Sequence, residues 1–169
     1  LLVHEFLTEQ VQAVPHIGLL GKTAREATSR VSGGLATWVS RLSITPHRLH
    51  VLGTAGSGKT QLALQELRQA ARLGDVALYV CYNRPLADAV KAVAPESVSV
   101  MTIHEFAREL GESAGETFDF AVTGVYDRMI EALMTYASQI NDAFDVLVVD
   151  EAQDMDEPWV KALISMAKT

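Results

Sequence analysis

Cysteine is almost missing from this 169-residue chain, and Cys81 stands alone. No internal disulfide can form, so a reducing, cytoplasmic setting fits. Positive charge is also short. Fourteen Lys and Arg face 21 Asp and Glu, for a net charge of −7. That excludes the uniformly basic surface on which many nucleic-acid-binding domains rely, though not a local basic groove. No apolar run approaches the roughly 18 residues of a membrane-spanning helix, so no membrane partner is expected. The opening residues carry no basic stretch leading into an apolar one, the pattern of a secretion leader. No internal repeat or low-complexity tract is present. The chain opens on Leu1 rather than Met and closes two residues after Ser165-Met166-Ala167. It therefore reads as a piece cut from a longer protein, and its charge speaks only for that piece.

What remains is ordinary globular composition, 49% hydrophobic and 21% charged, enough for one domain with a real core. Residues 53–60, GTAGSGKT, match G-x-x-x-x-G-K-T. A chance match in a chain this long has odds on the order of one in a few hundred. Context strengthens it. Leu49-His50-Val51-Leu52 reads as a short buried strand. From Lys59 to about Leu73, Leu62, Leu67, Ala70 and Ala71 recur at helical spacing, and Gly74 supplies a stop. Strand, glycine loop and helix together make a phosphate-binding loop of Gly53, Thr54, Ala55, Gly56, Ser57, Gly58, Lys59 and Thr60. Gly53, Gly56 and Gly58 free the backbone so that N–H groups converge on phosphate oxygens, and the helix N-terminus adds its positive dipole end. Lys59 suits the outer phosphates and the Thr60 hydroxyl suits Mg²⁺.

Further along, helices and strands alternate. Strands are expected over 48–52, 75–82, 97–102 and 144–150, and helices over 59–73, 84–94, 103–110, 120–140 and 157–167. Residues 111–119 read as a polar loop. The pattern predicts an α/β, three-layer fold with a mainly parallel sheet covered on both faces, its inner strands buried throughout. Before residue 48 the signals are weaker: short helices over 5–14, 22–31 and 35–43, a loop from Pro15 to Gly21, a break at Gly33-Gly34 and a stop at Pro46. Residues 1–32 read as an extension, the tail of a nuclease or accessory domain, and residues 33–169 as the nucleotide-binding domain.

Hydrolysis needs an acid on a neighbouring strand. VLVVDEAQD (146–154) supplies Asp150 at the carboxyl end of a strand, where such sheets bind ligands. Asp150 suits Mg²⁺, and Glu151 suits orienting and deprotonating an attacking water. Taken alone, Asp-Glu is equally a helix cap. Paired with the phosphate loop, it points to ATP hydrolysis rather than to simple nucleotide binding.

DEAQD (150–154) resembles the Asp-Glu-x-Gln-Asp signature of superfamily 1 helicases, the UvrD/Rep-like group. VCYNRPLADAV (80–90) and TIHEFA (102–107) resemble two further segments of that family that line the path of single-stranded DNA. Four motifs in order cover residues 49–156. The resemblance implies a P-loop NTPase, RecA-like fold, ATP and Mg²⁺ as cofactors, and the first of two motor domains of a single-stranded-DNA translocase or helicase. The second domain and its arginines would lie beyond residue 169. It implies that Gln153 senses the γ-phosphate, with Asp154 in support, so that Glu151, Lys59 and Gln153 form the catalytic set. Tyr82, Asn83, Arg84, Thr102 and His104 become nucleic-acid contacts. By their residues alone, Asn83-Arg84 is a turn and helix start, and His104 a cap or core histidine. Phe106 and Trp38 read as core, although either ring could stack. Cys81 stands where the family usually has an aromatic residue. No glutamine lies between Gln12 and Gln61 to read adenine as the family does. The resemblance also implies that residues 1–169 alone bind Mg-ATP weakly and hydrolyse it negligibly. Two other readings stay open: an ATPase remodelling RNA or nucleoprotein, and a nucleotide switch without helicase activity.

Overall fold

The computed structural model describes residues 12–15, 48–53 and 57–168. The chain divides into two compact units, residues 1–62 and 63–168. The helices read over 22–31 and 35–43, the break at Gly33-Gly34, Trp38 and Pro46 lie outside the described residues, as do Thr54, Ala55 and Gly56 of the loop.

In the first unit, β1 (Gln12–Pro15) and β2 (Leu49–Leu52) form an antiparallel ladder with Gln12 opposite Leu52 and Pro15 opposite Leu49. The expected strand before the glycine loop is present, but it is not buried as expected: its residues alternate between half-buried and exposed. Its partner corrects the reading of 5–14 as a helix and of Pro15 as loop, for residues 12–15 at least. A short Ala-Val segment has weak local preference, and a backbone ladder overrides it. Proline at the strand's end removes no central hydrogen bond. Helix α1 runs Lys59–Leu73 as expected, with residues from Ala63 onward belonging to the second unit. It ends at Gly74 with φ +80°, where the Asp75 N–H donates to the Ala70 carbonyl and the Gly74 N–H to the Ala71 carbonyl. That pair of bonds closes a helix with glycine in the left-handed region.

In the second unit, β3 (Ala77–Cys81), β4 (Ser99–Thr102) and β5 (Val146–Val149) form a wholly parallel sheet in the order β4-β3-β5. Helices α2 (Arg84–Lys91), α3 (Ile103–Ser113), α4 (Val125–Tyr136) and α5 (Glu157–Ser165) connect and cover it. Strand periodicity sorts the core. Ala77, Tyr79 and Cys81 face one way, with Val100, against Leu64 and Leu67 of α1 and Val90 of α2. Leu78 and Val80 face the other way, against Ile103, Met129, Leu133 and Leu163 of α3, α4 and α5. This is the expected three-layer α/β arrangement of a P-loop NTPase. All five residues of β3 are buried, as its continuous apolar run requires of a central strand.

Boundaries shift where packing decides them. Helix α3 extends to Ser113, so Gly111–Ser113 belong to a helix and not to the expected loop. Helix α4 starts only at Val125, after Gly124 at φ +83°. Strand β5, expected to be buried, is half-buried along its whole length, because it is the edge strand of the described sheet.

Cys81 gives a direct check on this core. It is fully buried, its Sγ donates to the Asn83 carbonyl at 3.3 Å, and burial pushes the thiol up to about 11. The reactive thiolate is therefore scarce at pH 8. Alkylation of the folded chain should be at least tenfold slower than in denaturant. Equal rates would show that β3 is not a central strand.

Candidate functional site

The loop begins where β2 ends. Gly53 has a steric reason for being glycine: a Cβ there would lie 2.6 Å from the Ser57 Oγ. Gly58 sits at φ +90°, where a side chain is strained whatever the space. The Lys59 Nζ donates to the Gly53 carbonyl at 2.9 Å, drawing its ammonium back across the loop. Lys59 and Thr60 open α1, whose first turn carries no acidic residue of its own. The positive end of the helix dipole is thus left without a carboxylate from that turn.

The acid pair belongs to the second unit. Asp150 follows β5 directly and is buried, at 7% exposure. Its N–H donates to the Val80 carbonyl at 2.9 Å, continuing the parallel ladder one residue past the strand. Its Oδ1 accepts the Glu151 N–H at 3.0 Å, and its Oδ2 accepts the Tyr79 hydroxyl at 2.8 Å. Glu151 adopts the left-handed conformation, φ 51° and ψ 42°, which is uncommon for a residue with a Cβ. The side-chain amide of Gln153 donates to the Glu151 carboxylate. A short 3-10 turn, Ala152–Asp154, carries Gln153 and the exposed Asp154. Three polar residues predicted from the sequence are therefore joined in one network. Asp150 also suits Mg²⁺, which takes one or two carboxylates and completes its shell with phosphate oxygens and water.

The five residues expected to meet nucleic acid gather at the carboxyl ends of β3 and β4. Asn83 caps α2, its Oδ1 accepting the Leu86 N–H at 3.4 Å. Arg84 is exposed and already holds Asp88 at 2.9 Å and the Glu105 carboxylate. Thr102 is buried and caps α3: its Oγ1 accepts the Glu105 N–H at 3.2 Å while Glu105 accepts the Thr102 N–H at 2.9 Å. That reciprocal box occupies much of the helix terminus. Tyr82 is exposed, with its ring edge-on to His104 at 5.5 Å. Burial lowers the His104 pKa below its ordinary value, against the opposing pull of Asp127. The imidazole is therefore mostly neutral at pH 7 and its ring packs among aromatics. Phe106 is half-buried and packs edge-on to Phe144, in line with its core reading.

Three rings were not singled out in the sequence. Tyr126 and Trp159 lie 5.3 Å and 6.2 Å from His104, and Phe120 lies 6.4 Å from Tyr126. Helical spacing along α4 is too loose a guide to show that Tyr126 would point outward beside His104. Tyr79 is a fourth omission. Its signal was a hydroxyl inside a strand buried on both faces, which demands a partner.

The family described as AAA domain matches residues 39–169, well over half of the chain. No curated protein and no solved structure matches it.

Proposed function

The chain belongs to the AAA domain family, which makes it a P-loop nucleotide-binding ATPase, and on that premise we propose that it is the ATP-binding first motor domain of a translocase or helicase acting on single-stranded DNA. The observation that carries this reading is a shared location. The Asp150-Glu151-Gln153 network and the Tyr82-Asn83-Arg84 segment both follow the carboxyl ends of adjacent strands, β5 and β3. A change in the acid network has only one strand to cross to reach the surface proposed for the polynucleotide.

In this reading the phosphate loop, residues 53–60, holds the triphosphate, with Lys59 on its outer oxygens. Thr60 and Asp150 are the residues that would hold Mg²⁺, which when bound neutralises phosphate charge. Glu151 accepts the proton of the attacking water, and the Gln153 amide holds the Glu151 carboxylate in place. Gln153 can therefore report on the outer phosphate and on the base at once. Tyr82, Asn83 and Arg84, all exposed, face the nucleic acid, and Thr102 and His104 support them through Glu105 and the Tyr82 ring. A second motor domain, outside residues 1–169, supplies the arginines. In related phosphoryl-transfer systems such a residue is worth roughly 10³–10⁵ in rate.

The test is ATP hydrolysis by a full-length protein carrying this segment, measured without polymer, with single-stranded DNA and with single-stranded RNA. We expect at least tenfold stimulation by DNA. Stimulation by RNA instead would support remodelling of RNA. No stimulation by either would favour a nucleotide switch. The pairing of Arg84 with both Asp88 and Glu105 favours that last alternative most directly.

A further inference from the structure

Tyr79 is a residue that hydrophobic packing alone does not explain. It lies in the middle of β3 and is fully buried. A phenylalanine would fill the same space among Leu64, Leu67 and Val90 without bringing a hydroxyl into the core. A buried hydroxyl left without a partner destabilises a core. The hydroxyl has a partner 71 residues away in sequence, the Asp150 Oδ2 at 2.8 Å, in a hydrogen bond that is itself buried.

The sheet explains why these two groups meet. Tyr79 is paired with Val148 in the parallel register of β3 and β5. Val146, Val148 and Asp150 alternate with period two, and the two valines pack in the same core cluster as Tyr79. Asp150 therefore emerges on the face that Tyr79 occupies, one pleat beyond its direct partner. A residue one place earlier or later in β3 would point to the opposite face. The other carboxylate oxygen is fixed by the backbone, through the Glu151 N–H at 3.0 Å. One oxygen is thus held by the chain turn and the other by the phenol.

We propose that Tyr79 is a positioning residue for the metal-binding carboxylate, its hydroxyl locking Asp150 in the one orientation from which it can serve Mg²⁺. This rests on the Mg-ATP reading of the site. A carboxylate has about four acceptor sites, so the phenol can orient the group while the carboxylate keeps its charge for a cation. Partners of this kind, which touch a ligand and not the metal, typically change metal affinity 10–100-fold when removed.

The experiment compares the wild-type chain with Tyr79→Phe, which deletes one oxygen and keeps the ring. Binding of a fluorescent ATP analogue is titrated against Mg²⁺, and Mn²⁺ binding in the presence of ATP is followed by electron paramagnetic resonance. The Phe variant should need about tenfold more metal for half-saturation, with metal-free nucleotide affinity unchanged. Val100→Ala is the control, a core change in the same cluster as Tyr79. It should lower Tm without moving the metal titration. An unchanged metal requirement in Tyr79→Phe would overturn the proposal and leave Tyr79 as a core residue. So would an equal shift in Val100→Ala, which would make the effect one of packing. A wild-type chain that binds nucleotide equally with and without Mg²⁺ would overturn the metal reading itself, and this proposal with it.

Discussion

Replacing Glu151 by Gln in a full-length protein carrying this segment is expected to lower ATP turnover 10²- to 10⁴-fold while leaving Mg-ATP affinity within about a factor of two. The range is that of a positioned general base, and it corresponds to about 3–5 kcal/mol of activation barrier. Gln is nearly isosteric with Glu and keeps an oxygen that can accept from the Gln153 amide, so the contact seen between the two side chains survives. What it loses is the ability to take a proton. The left-handed backbone at Glu151 strengthens the expectation. A residue held there costs of order 1–3 kcal/mol, and a simple cap gains nothing from that conformation. Steady-state turnover and equilibrium binding, measured on one preparation, separate the outcomes. A loss below tenfold would reduce Glu151 to a cap. Equal losses in turnover and affinity would show that the turn itself had collapsed.

The sequence made the second unit legible wherever a single strong rule applied. The five-residue apolar run of β3 and the end of α1 at Gly74 follow from burial on two faces and from a left-handed cap, both written in local residues. So is the placement of Asp150 at a strand end. It was less legible where partners distant in sequence decide. Residues 12–15 form a strand because residues 49–52 lie beside them, and nothing in Gln-Ala-Val-Pro announces that. Tyr126 faces His104 because α4 packs on α3 at a particular rotation, which helical periodicity fixes only to within a residue or so. Tyr79 was hidden inside an apolar run because a tyrosine there reads as bulk until its hydroxyl partner is known. At Asn83 and Thr102 the structure shows helix caps. The side chains expected to meet a polynucleotide are also the caps of α2 and α3, so local structure and proposed function draw on the same atoms.

Gly111 shows the same limit in terms of stability, and Gly111→Val is expected to lower Tm by roughly 4–16 °C, about 2–4 kcal/mol in a chain of this size. By local rules glycine is a breaker, so residues 111–119 read as loop. The structure places Gly111 in α3 and buries it. A Cβ there would lie 2.6 Å from the Phe118 ring and 3.0 Å from the Ala132 Cβ of α4. Two effects compete. Any side chain in place of glycine gains about 0.5–1 kcal/mol of helix preference from the lost freedom of the unfolded chain. Overpacking a formed contact costs typically 1–3 kcal/mol. For Gly111→Ala the two nearly cancel, because the closest contact is the far end of the Phe118 side chain and the Ala132 contact at 3.0 Å needs to give by only a few tenths of an ångström. For valine the first gain shrinks, since β-branching is disfavoured in helices. Its two extra methyl groups add bulk beside a Cβ already 3.0 Å from Ala132, which cannot move without shifting the helix backbone. Thermal unfolding of both variants decides between the accounts. An alanine variant within about 1 kcal/mol of wild type, with valine far below it, is the pattern of a glycine kept for close helix packing. Valine as stable as alanine would mean that α3 ends before residue 111 and that the loop reading was correct.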